Sequence, residues 1–182
     1  KTINFKILSN YNFLTLKPII YVCNVDESSI VGGNNLSNTV VNYAKSKNSK
    51  SIIISAQIES EISTIEDFDE KNQFLEALGL KETSLSSLIK QGYSLLQLIT
   101  FFTSGPKESR AWSIKKGSLA PDAGAKIHTD FKKGFIRAEV ISYADFINYK
   151  GESNCKENGK LRLEGKDYKI SDGDVVTFRF NV

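Results

Sequence analysis

The segment that most constrains the fold of this chain is an apolar run that ends abruptly in polar residues. Residues 17–27 read Lys-Pro-Ile-Ile-Tyr-Val-Cys-Asn-Val-Asp-Glu. The run is apolar at nearly every position, which predicts a strand covered on both faces in a parallel sheet. Because ligands of open α/β sheets bind outside the carboxyl ends of such strands, Asn24 and Glu27 mark the first candidate site.

A second strand of the same kind follows within about 40 residues. Residues 51–56 read Ser-Ile-Ile-Ile-Ser-Ala, and residues 36–47 between the strands have the apolar spacing of a short helix. Strand, helix and strand in this order predict a right-handed βαβ unit with parallel strands. The polar segments Asn24–Glu27 and Ser55–Gln57 are then expected at the same edge of the sheet.

The rest of the chain predicts helices first and a small sheet afterwards. Helices are expected over 58–65 and 68–78, followed by an amphipathic helix that starts at Thr83 or Ser84 and covers the sheet. From residue 99 onward the pattern predicts a mixed sheet with a helix across it, which is a β-grasp pattern. Its expected parts are strands at 99–103, 110–115, 135–142 and 175–182, a helix at 121–128, a polar loop at 151–159 and a hairpin at 161–170.

The residue types exclude several kinds of chemistry. No apolar run approaches the length of roughly 20 residues that spans a bilayer, so no membrane partner is expected. The two cysteines, Cys23 and Cys155, are too few for a disulfide framework and predict reduced thiols in a cytoplasmic protein. The single histidine, His128, has no nucleophile in a recognisable setting and is interpreted as a cap or local hydrogen-bonding group. Neither a catalytic residue nor a metal site is predicted.

The functions left to consider are the binding of a nucleotide and the binding of a nucleic acid. The chain has no Gly-x4-Gly-Lys-Ser/Thr sequence, so it is not expected to hold a triphosphate and Mg²⁺, or to hydrolyse nucleotide, by itself. Asn24 and Glu27 could bind the edge of a purine, and the loop at Ser55 and Ala56 could add backbone donors, although a simple turn after a strand explains the same residues.

Charge separates the two halves of the chain. Residues 1–98 hold 9 basic and 10 acidic side chains, whereas residues 99–182 hold 15 and 11. The excess of basic side chains in residues 99–182 is explained either by a solvated basic surface or by an RNA- or partner-binding face. The candidate residues of that face are Lys107, Arg110, Lys115, Lys116, Lys132, Lys133 and Arg137, with the aromatic residues Trp112 and Phe135 either beside them or packed in the core.

Long runs of the sequence resemble the carboxy-terminal half of the YchF subfamily of Obg-related P-loop NTPases. They include LTLKPIIYVCNVDE, IISAQIESEI, FLEALGLKETSLSSLIKQGYSLLQLITFFTSGPKESRAW, IHTDFKKGFIRAEVISYADFINYKG and GKLRLEGKDYKISDGDVVTFRFNV. The resemblance implies the α/β remainder of a P-loop G domain followed by an α+β β-grasp (TGS) domain. The implied domains are a remnant of a helical coiled-coil arm at 1–16, the G-domain part at 17–98 and the TGS domain at 99–182.

The resemblance also implies which residues contact the nucleotide. In YchF-like proteins Asn-x-x-Glu replaces the usual Asn-Lys-x-Asp base motif, and the subfamily tends to prefer ATP over GTP. Asn24, Val25 and Glu27 match that motif, and Ser55, Ala56 and Gln57 match the last base-side motif of the G domain. The P-loop, switch threonine and Asp-x-x-Gly segments precede this stretch in the family, so an amino-terminal P-loop segment is an expected partner of the chain.

Two functions are therefore expected. The first is the carboxy-terminal part of a translation-associated NTPase that binds ATP or GTP with Mg²⁺, recognises the purine and associates with the ribosome or RNA. The second is a stand-alone, non-catalytic module that binds RNA or the ribosome without nucleotide.

Overall fold

The computed structural model describes residues 9–181, in two compact units, Lys1–Leu96 and Gln97–Val182. Unit 1 is α/β and unit 2 contains a mixed sheet with helices, as the sequence predicts. Residues 1–8, the first half of the segment interpreted as an arm remnant, lie outside the described residues. The second half contains two single-turn 3-10 helices, Ser9–Tyr11 and Leu14–Leu16.

Unit 1 is built on two parallel strands, β1 (Ile20–Asn24) and β2 (Lys50–Ile54). Their register places Asn24 opposite Ile54, so both strands end at the same edge. The helices of the unit are α1 (Asn35–Ser46), α2 (Ala56–Ser63), α3 (Phe68–Ala77) and α4 (Ser84–Leu95). The order of strands and helices confirms the predicted parallel βαβ arrangement.

Each helix of unit 1 starts at a polar residue that caps it. A side-chain oxygen accepts a hydrogen bond from a backbone N–H in the first turn, which satisfies a donor that has no partner within the helix. The capping residues are Asn34, Ser55, Asp67 and Thr83. These caps explain where the helices begin, and Ser55 thereby links the end of β2 directly to α2.

The prediction that β1 is covered on both faces is wrong for the part of the chain that the structure describes. Helix α1 packs against both strands, and its Tyr43 ring meets Tyr21 edge-on at 5.8 Å. On the other face, α4 packs against β2, where Lys50 Nζ donates to Ser94 Oγ at 2.7 Å. Val22, next to β2 on that face, remains 44% exposed.

Helix α4 covers the sheet only in part. The sequence predicts one continuous apolar face, but Leu85 and Ile89 on that face are 56% and 53% exposed among the described residues. The Glu59 carboxylate accepts a hydrogen bond from the backbone N–H of Ser84 at 2.6 Å. It therefore holds the first turn of α4 against α2.

Unit 2 is a five-stranded mixed sheet in the order β4-β3-β7-β5-β6. Strands β3 and β7 pair in parallel and the other neighbours pair antiparallel. The strands are β3 (Leu98–Ser104), β4 (Ser109–Lys115), β5 (Phe135–Ser142), β6 (Arg162–Glu164) and β7 (Asp174–Phe180). The helices are α5 (Ala120–Ile127), α6 (Thr129–Lys133), α7 (Tyr143–Asn148) and α8 (Glu152–Glu157).

The core of unit 2 lies between the sheet and α5 with α6. Phe101 and Val140 are fully buried in it, and Phe178 meets Phe101 edge-on with a centroid distance of 6.0 Å. Gly134, directly after α6, lies against the end of β7. A Cβ atom there would lie 1.8 Å from the carbonyl oxygen of Asn181, so this approach requires glycine.

Two local predictions for unit 2 are wrong. The predicted polar loop at 151–159 contains α8, and Cys155 within it is fully buried, with Sγ donating to the Asp145 carbonyl at 3.4 Å. The predicted hairpin at 161–170 does not form, because β6 pairs with β5 and Lys169 forms an isolated bridge with Leu119. No helix among residues 9–181 has the length and apolar character needed to cross a bilayer.

Candidate functional site

The edge of unit 1 where β1 and β2 end is the first candidate site. Asn24, the last residue of β1, accepts a hydrogen bond at Oδ1 from the backbone N–H of Ala56, at 2.9 Å. Ala56 is the first residue of α2, so this bond ties the two polar segments together. The structure thus brings Asn24–Glu27 and Ser55–Gln57 to one edge, as the sequence predicts.

The hydrogen bonds at this edge determine which groups can meet a ligand. The Val25 N–H donates to the Ile54 carbonyl at 2.9 Å, and the Ala56 N–H is taken by Asn24. The Ala56 N–H is therefore committed in this arrangement, and a contact between the Ala56 backbone and a base stays a prediction. Within the described residues, the Asn24 amide NH₂ and the Val25 carbonyl oxygen make no hydrogen bond, so one donor and one acceptor remain at the edge.

Ser55 stabilises the edge without reaching its surface. Its side chain is fully buried and its Oγ accepts from the Ile58 N–H at 3.5 Å. It therefore positions α2, and it does not contact a ligand through its hydroxyl.

Glu27 and Gln57 line an open groove on the surface of unit 1. Glu27 starts the 3-10 turn Glu27–Ser29, and the Gln57 amide Nε2 donates to Glu61 at 3.2 Å. The groove is lined by Asp26, Glu27, Ser28, Ile30, Val31, Gln57, Ala77 and Leu78. Its lining therefore combines acidic, hydroxyl and amide groups with apolar side chains.

Asp26 gives this groove a fixed negative charge. Hydrogen bonds from Ser29, and to a lesser extent from Ser28, outweigh partial desolvation and lower the pKa of Asp26. The carboxylate is therefore ionised well into the acid range. A groove that holds this charge beside Glu27 favours a ligand edge that donates hydrogen bonds.

The predicted basic face of unit 2 is divided by the sheet. The register aligns Phe102 of β3 with Val175 of β7, so the end of β3 and the start of β4 lie level with the first half of β7. The end of β7 extends beyond them and lies beside the start of β5 and the end of α6. We call the end of β7, the start of β5 and the end of α6 the β7-terminal end. It holds Lys132, Lys133 and Arg137, whereas Lys107 and Arg110 lie in and beside the β3–β4 turn and Lys115 and Lys116 lie at the opposite end of β4.

Two arginines at the β7-terminal end share one buried carboxylate. Arg137 is opposite Arg179 in the β5–β7 ladder, and both donate to Glu139, at 3.1 Å and 2.9 Å. The Glu139 residue is only 9% exposed, while the Arg side chains are 50% and 54% exposed. The hydrogen bond from Arg179, and then that from Arg137, outweigh burial and lower the pKa of Glu139.

The lowered pKa of Glu139 predicts an acid-sensitive contribution to stability. In the unfolded chain a Glu has a pKa of about 4.3. Because the pKa of Glu139 is lower in the folded chain, its ionised side chain contributes fully to the free energy of unfolding above about pH 5. This contribution is lost as the pH falls through the folded pKa. We expect Glu139→Gln to lower the free energy of unfolding by about 1 kcal/mol at pH 7, since solvent screens the half-exposed arginines.

Urea unfolding followed by Trp112 fluorescence at pH 7 and pH 3 measures this difference. The difference in the free energy of unfolding between the native chain and the variant should be smaller at pH 3 than at pH 7, and exposed Glu157→Gln should produce no difference at either pH. A gap of equal size at both pH values would contradict the assignment.

The aromatic residues predicted beside the basic face have different positions. Phe135 is 6% exposed and belongs to the core, which is the second of the two alternatives that the sequence left open. Trp112 is half-buried against the core, and the Arg110 guanidinium lies 4.4 Å from its ring centroid. His128 caps α6 by accepting at Nδ1 from the Asp130 N–H at 3.3 Å, which confirms its interpretation as a cap.

Sequence reasoning missed two residues at the β7-terminal end. Arg179 shares Glu139 with Arg137, and Phe180, 39% exposed, stacks on Phe131 with a centroid distance of 4.0 Å. Their position depends on the pairing of β7 with both β3 and β5, which no local pattern predicts. Among residues 9–181, no three His, Cys, Asp or Glu side chains are arranged to hold a metal ion.

Comparisons with known proteins agree with this architecture. Residues 98–181 match the YchF-GTPase_C family, described as a protein of unknown function, DUF933. The chain is 53% identical over 175 residues to the ribosome-binding ATPase YchF of Pasteurella multocida, covering 96% of the chain and 48% of that protein. The chain matches the carboxy-terminal half of YchF proteins.

Other YchF relatives extend this match. The ribosome-binding ATPase YchF of Bacillus subtilis is 48% identical over 179 residues, which are 97% of the chain and 49% of that protein. The solved structure of the Schizosaccharomyces pombe YchF GTPase superposes with a TM-score of 0.81 at 32% identity, over 96% of the chain and 46% of that structure. The chain thus spans about half the length of the curated YchF relatives it matches.

Proposed function

We propose that this chain supplies the purine-recognition edge of a ribosome-associated NTPase of the YchF type, together with a TGS module of β-grasp fold that binds RNA. The observation that carries the proposal is the Asn24–Ala56 hydrogen bond at the common end of β1 and β2. It fixes the side chain of the Asn-x-x-Glu motif against the neighbouring loop. The printed names of the relatives, ribosome-binding ATPases, support the association with the ribosome.

The groups at the edge favour adenine over guanine. With its Oδ1 held by Ala56, Asn24 presents its NH₂ group, which can donate to a ring nitrogen of either purine. The Val25 N–H is committed to Ile54, so its backbone can meet the base only through the carbonyl oxygen. That oxygen accepts from the exocyclic amino group of adenine and repels the corresponding carbonyl of guanine.

Glu27 and Asp26 can accept from the exocyclic amino group that both adenine and guanine carry, so they support purine binding without adding to this preference. Both carboxylates accept hydrogen bonds, and the lowered pKa of Asp26 keeps its charge in place. Ala77 and Leu78, which also line the groove, offer apolar surface for the flat face of the base. Mg²⁺ and the triphosphate would require phosphate-binding residues, which this sequence lacks in P-loop form, so hydrolysis is proposed only for a longer protein in the cytoplasm.

Asn24→Ala should weaken ATP binding about tenfold in a protein of the relatives' full length that carries this chain, because one hydrogen bond to the base is lost. Asn24→Asp keeps the acceptor for Ala56 and replaces the donor by a charged acceptor that repels a ring nitrogen, so it should weaken binding while the edge stays folded. Isothermal titration with ATP measures both variants.

Exposed Asn42→Ala on α1 is the matched control and should bind as the unchanged protein does. Unchanged ATP affinity in both Asn24 variants would refute the base contact. RNA binding that persists in a full-length protein with no affinity for nucleotide would favour the second function, a non-catalytic RNA- or ribosome-binding module.

A further inference from the structure

The sheet of unit 2 has one face that packs against α5 and α6 and a second face turned away from them. Side chains alternate between the faces along each strand, and residues directly opposite each other in a ladder share a face. Ala138 and Phe178 are such a pair and lie in the core with α5. Their neighbours Arg137 and Arg179, which are also opposite each other, therefore lie on the second face, which we call the outer face.

One buried carboxylate on the outer face fixes both guanidinium groups. Arg179 donates from Nε to Oε1 of Glu139 at 3.1 Å and from Nη2 to Oε2 at 2.9 Å. Arg137 donates from Nη2 to Oε1 at 3.1 Å. Because Glu139 is buried and the two arginine side chains are half-exposed, the anchor lies below the surface and both guanidinium groups reach solvent. The arginines are therefore held in place before any ligand arrives.

The charges of this cluster do not cancel. Like charges directly opposite each other destabilise a ladder, and a single arginine would already neutralise Glu139. Two arginines and one carboxylate leave one positive charge without a counterpart at hydrogen-bond distance. The hydrogen bond to Glu139 and, at longer range, the charge of Glu152 raise the pKa of Arg179, so this residue stays charged. The second arginine thus exceeds what a purely structural ion pair needs.

Both arginines also keep donors for a ligand. A guanidinium group has five N–H donors, and among residues 9–181 the Nη1 groups of Arg137 and Arg179 make no hydrogen bond. The β5–β7 register shifts between Phe135 and Arg137, directly before the first of the two arginines. Such β-bulges redirect side chains and are frequent beside functional sites. The start of β5 thus displays Arg137 beside Arg179 with at least two donors left on each.

We propose that Arg137 and Arg179 form a clamp on the outer face that binds one phosphate group of an RNA backbone. A phosphodiester has one negative charge and two free oxygens, which match the one uncompensated charge and the donors of two guanidinium groups. A chain of phosphates also meets the excess of 15 basic over 11 acidic side chains in residues 99–182. This inference rests on the proposed RNA-binding function of unit 2 and names its phosphate-binding residues.

Substitutions can separate the geometry of the clamp from its charge. R137K/R179K keeps both positive charges and loses the planar fork of donors. The triple change R137Q/E139Q/R179Q removes the clamp without leaving a buried carboxylate unpaired, and it lowers the net charge by one. Exposed Lys116→Gln, at the far end of β4, lowers the net charge by the same amount and is the matched control.

Fluorescence anisotropy with a labelled single-stranded RNA of about 12 nucleotides tests the proposal on the full chain. At about 100 mM salt the triple change should weaken binding about tenfold, R137K/R179K at least about threefold and Lys116→Gln less than about twofold. The slope of log K against log salt should become shallower by about 0.7 in the triple variant, which corresponds to one phosphate contact on a single strand. Trp112 fluorescence during urea unfolding checks that each variant is folded.

The outcomes separate this inference from the function on which it rests. Failure of the unchanged chain to bind the RNA would overturn both. RNA binding that R137K/R179K leaves unchanged, or that Lys116→Gln weakens as much as the triple change does, would overturn only the clamp, because charge alone would then explain the affinity. Displacement of the RNA by about 1 mM inorganic phosphate at constant ionic strength, or by poly-glutamate as readily as by unlabelled RNA, would overturn the RNA backbone as the source of the bound group.

Discussion

Gly134→Ala is expected to destabilise unit 2 by about 3 kcal/mol or more. The added Cβ would lie 1.8 Å from the Asn181 carbonyl oxygen and 2.7 Å from its carbon, and both are backbone atoms. No side-chain rotation relieves such a contact. The strand end would have to move, which would break the Asn181 N–H bond to the Gly134 carbonyl at 2.9 Å.

Urea unfolding measures this effect cleanly. The chain has a single tryptophan, Trp112, so its fluorescence reports unit 2 alone. Gly165→Ala is the control in the same unit, because a Cβ atom there meets nothing within 4 Å. A Gly134→Ala variant as stable as the unchanged chain would show that β7 and α6 do not approach this closely.

Asp174→Ala should also cost unit 2 about 3 kcal/mol, because a buried hydrogen-bond acceptor is removed from several donors at once. Asp174, 3% exposed, accepts at Oδ2 from the Tyr168 hydroxyl at 2.7 Å and from the Ser171 N–H at 2.8 Å. Arg162 donates to its Oδ1 at 3.4 Å. These contacts hold the segment between β6 and β7 against the start of β7.

The same unfolding experiment with Asp174→Asn distinguishes charge from hydrogen bonding. The asparagine amide keeps one acceptor oxygen, so Asp174→Asn should lose less stability than Asp174→Ala. Exposed Asp167→Ala should lose almost none.

Burial, and then the bond to Asp174, raise the pKa of Tyr168. A folded pKa above the unfolded value gives stability that is lost as the pH rises through it, so unit 2 should weaken in strongly alkaline solution, and less so in Asp174→Ala. Equal stability of Asp174→Ala and the unchanged chain would refute the role of Asp174 in holding the segment between β6 and β7.

The sequence predicts the long and periodic elements of the fold and misses the short ones. Strand β2 has a continuous apolar run and helix α4 has a full helical period, and both form where expected. Helix α8 has six residues and one buried side chain, Cys155, which is too little to show a period. The hairpin prediction failed because Tyr168 is held by Asp174, a contact that local turn residues cannot indicate.

The candidate sites were likewise predictable from the sequence only in part. Asn24 and the loop at Ser55 could be paired from sequence, because parallel strands bring their carboxyl ends to one edge. The burial of Ser55 and the capture of the Ala56 N–H by Asn24 depend on atomic positions and could not be predicted. Arg179 and Phe180 are far along the chain from β5, and only the pairing of distant strands places them opposite Arg137 and Phe135.

The central position of β7 has a consequence for how unit 2 is made. Strand β7 separates β3 from β5 in the sheet, yet it is the last of the five strands to be synthesised. Until residues 174–180 are available, β3–β4 and β5–β6 are two hairpin-like pairs with open inner edges, and contacts between β3 and β7 must close a loop of about 70 residues. Non-local pairing of this kind slows folding and exposes strand edges to other chains. The growing chain therefore depends on its final strand, and unit 2 is expected to complete its core only after synthesis of β7.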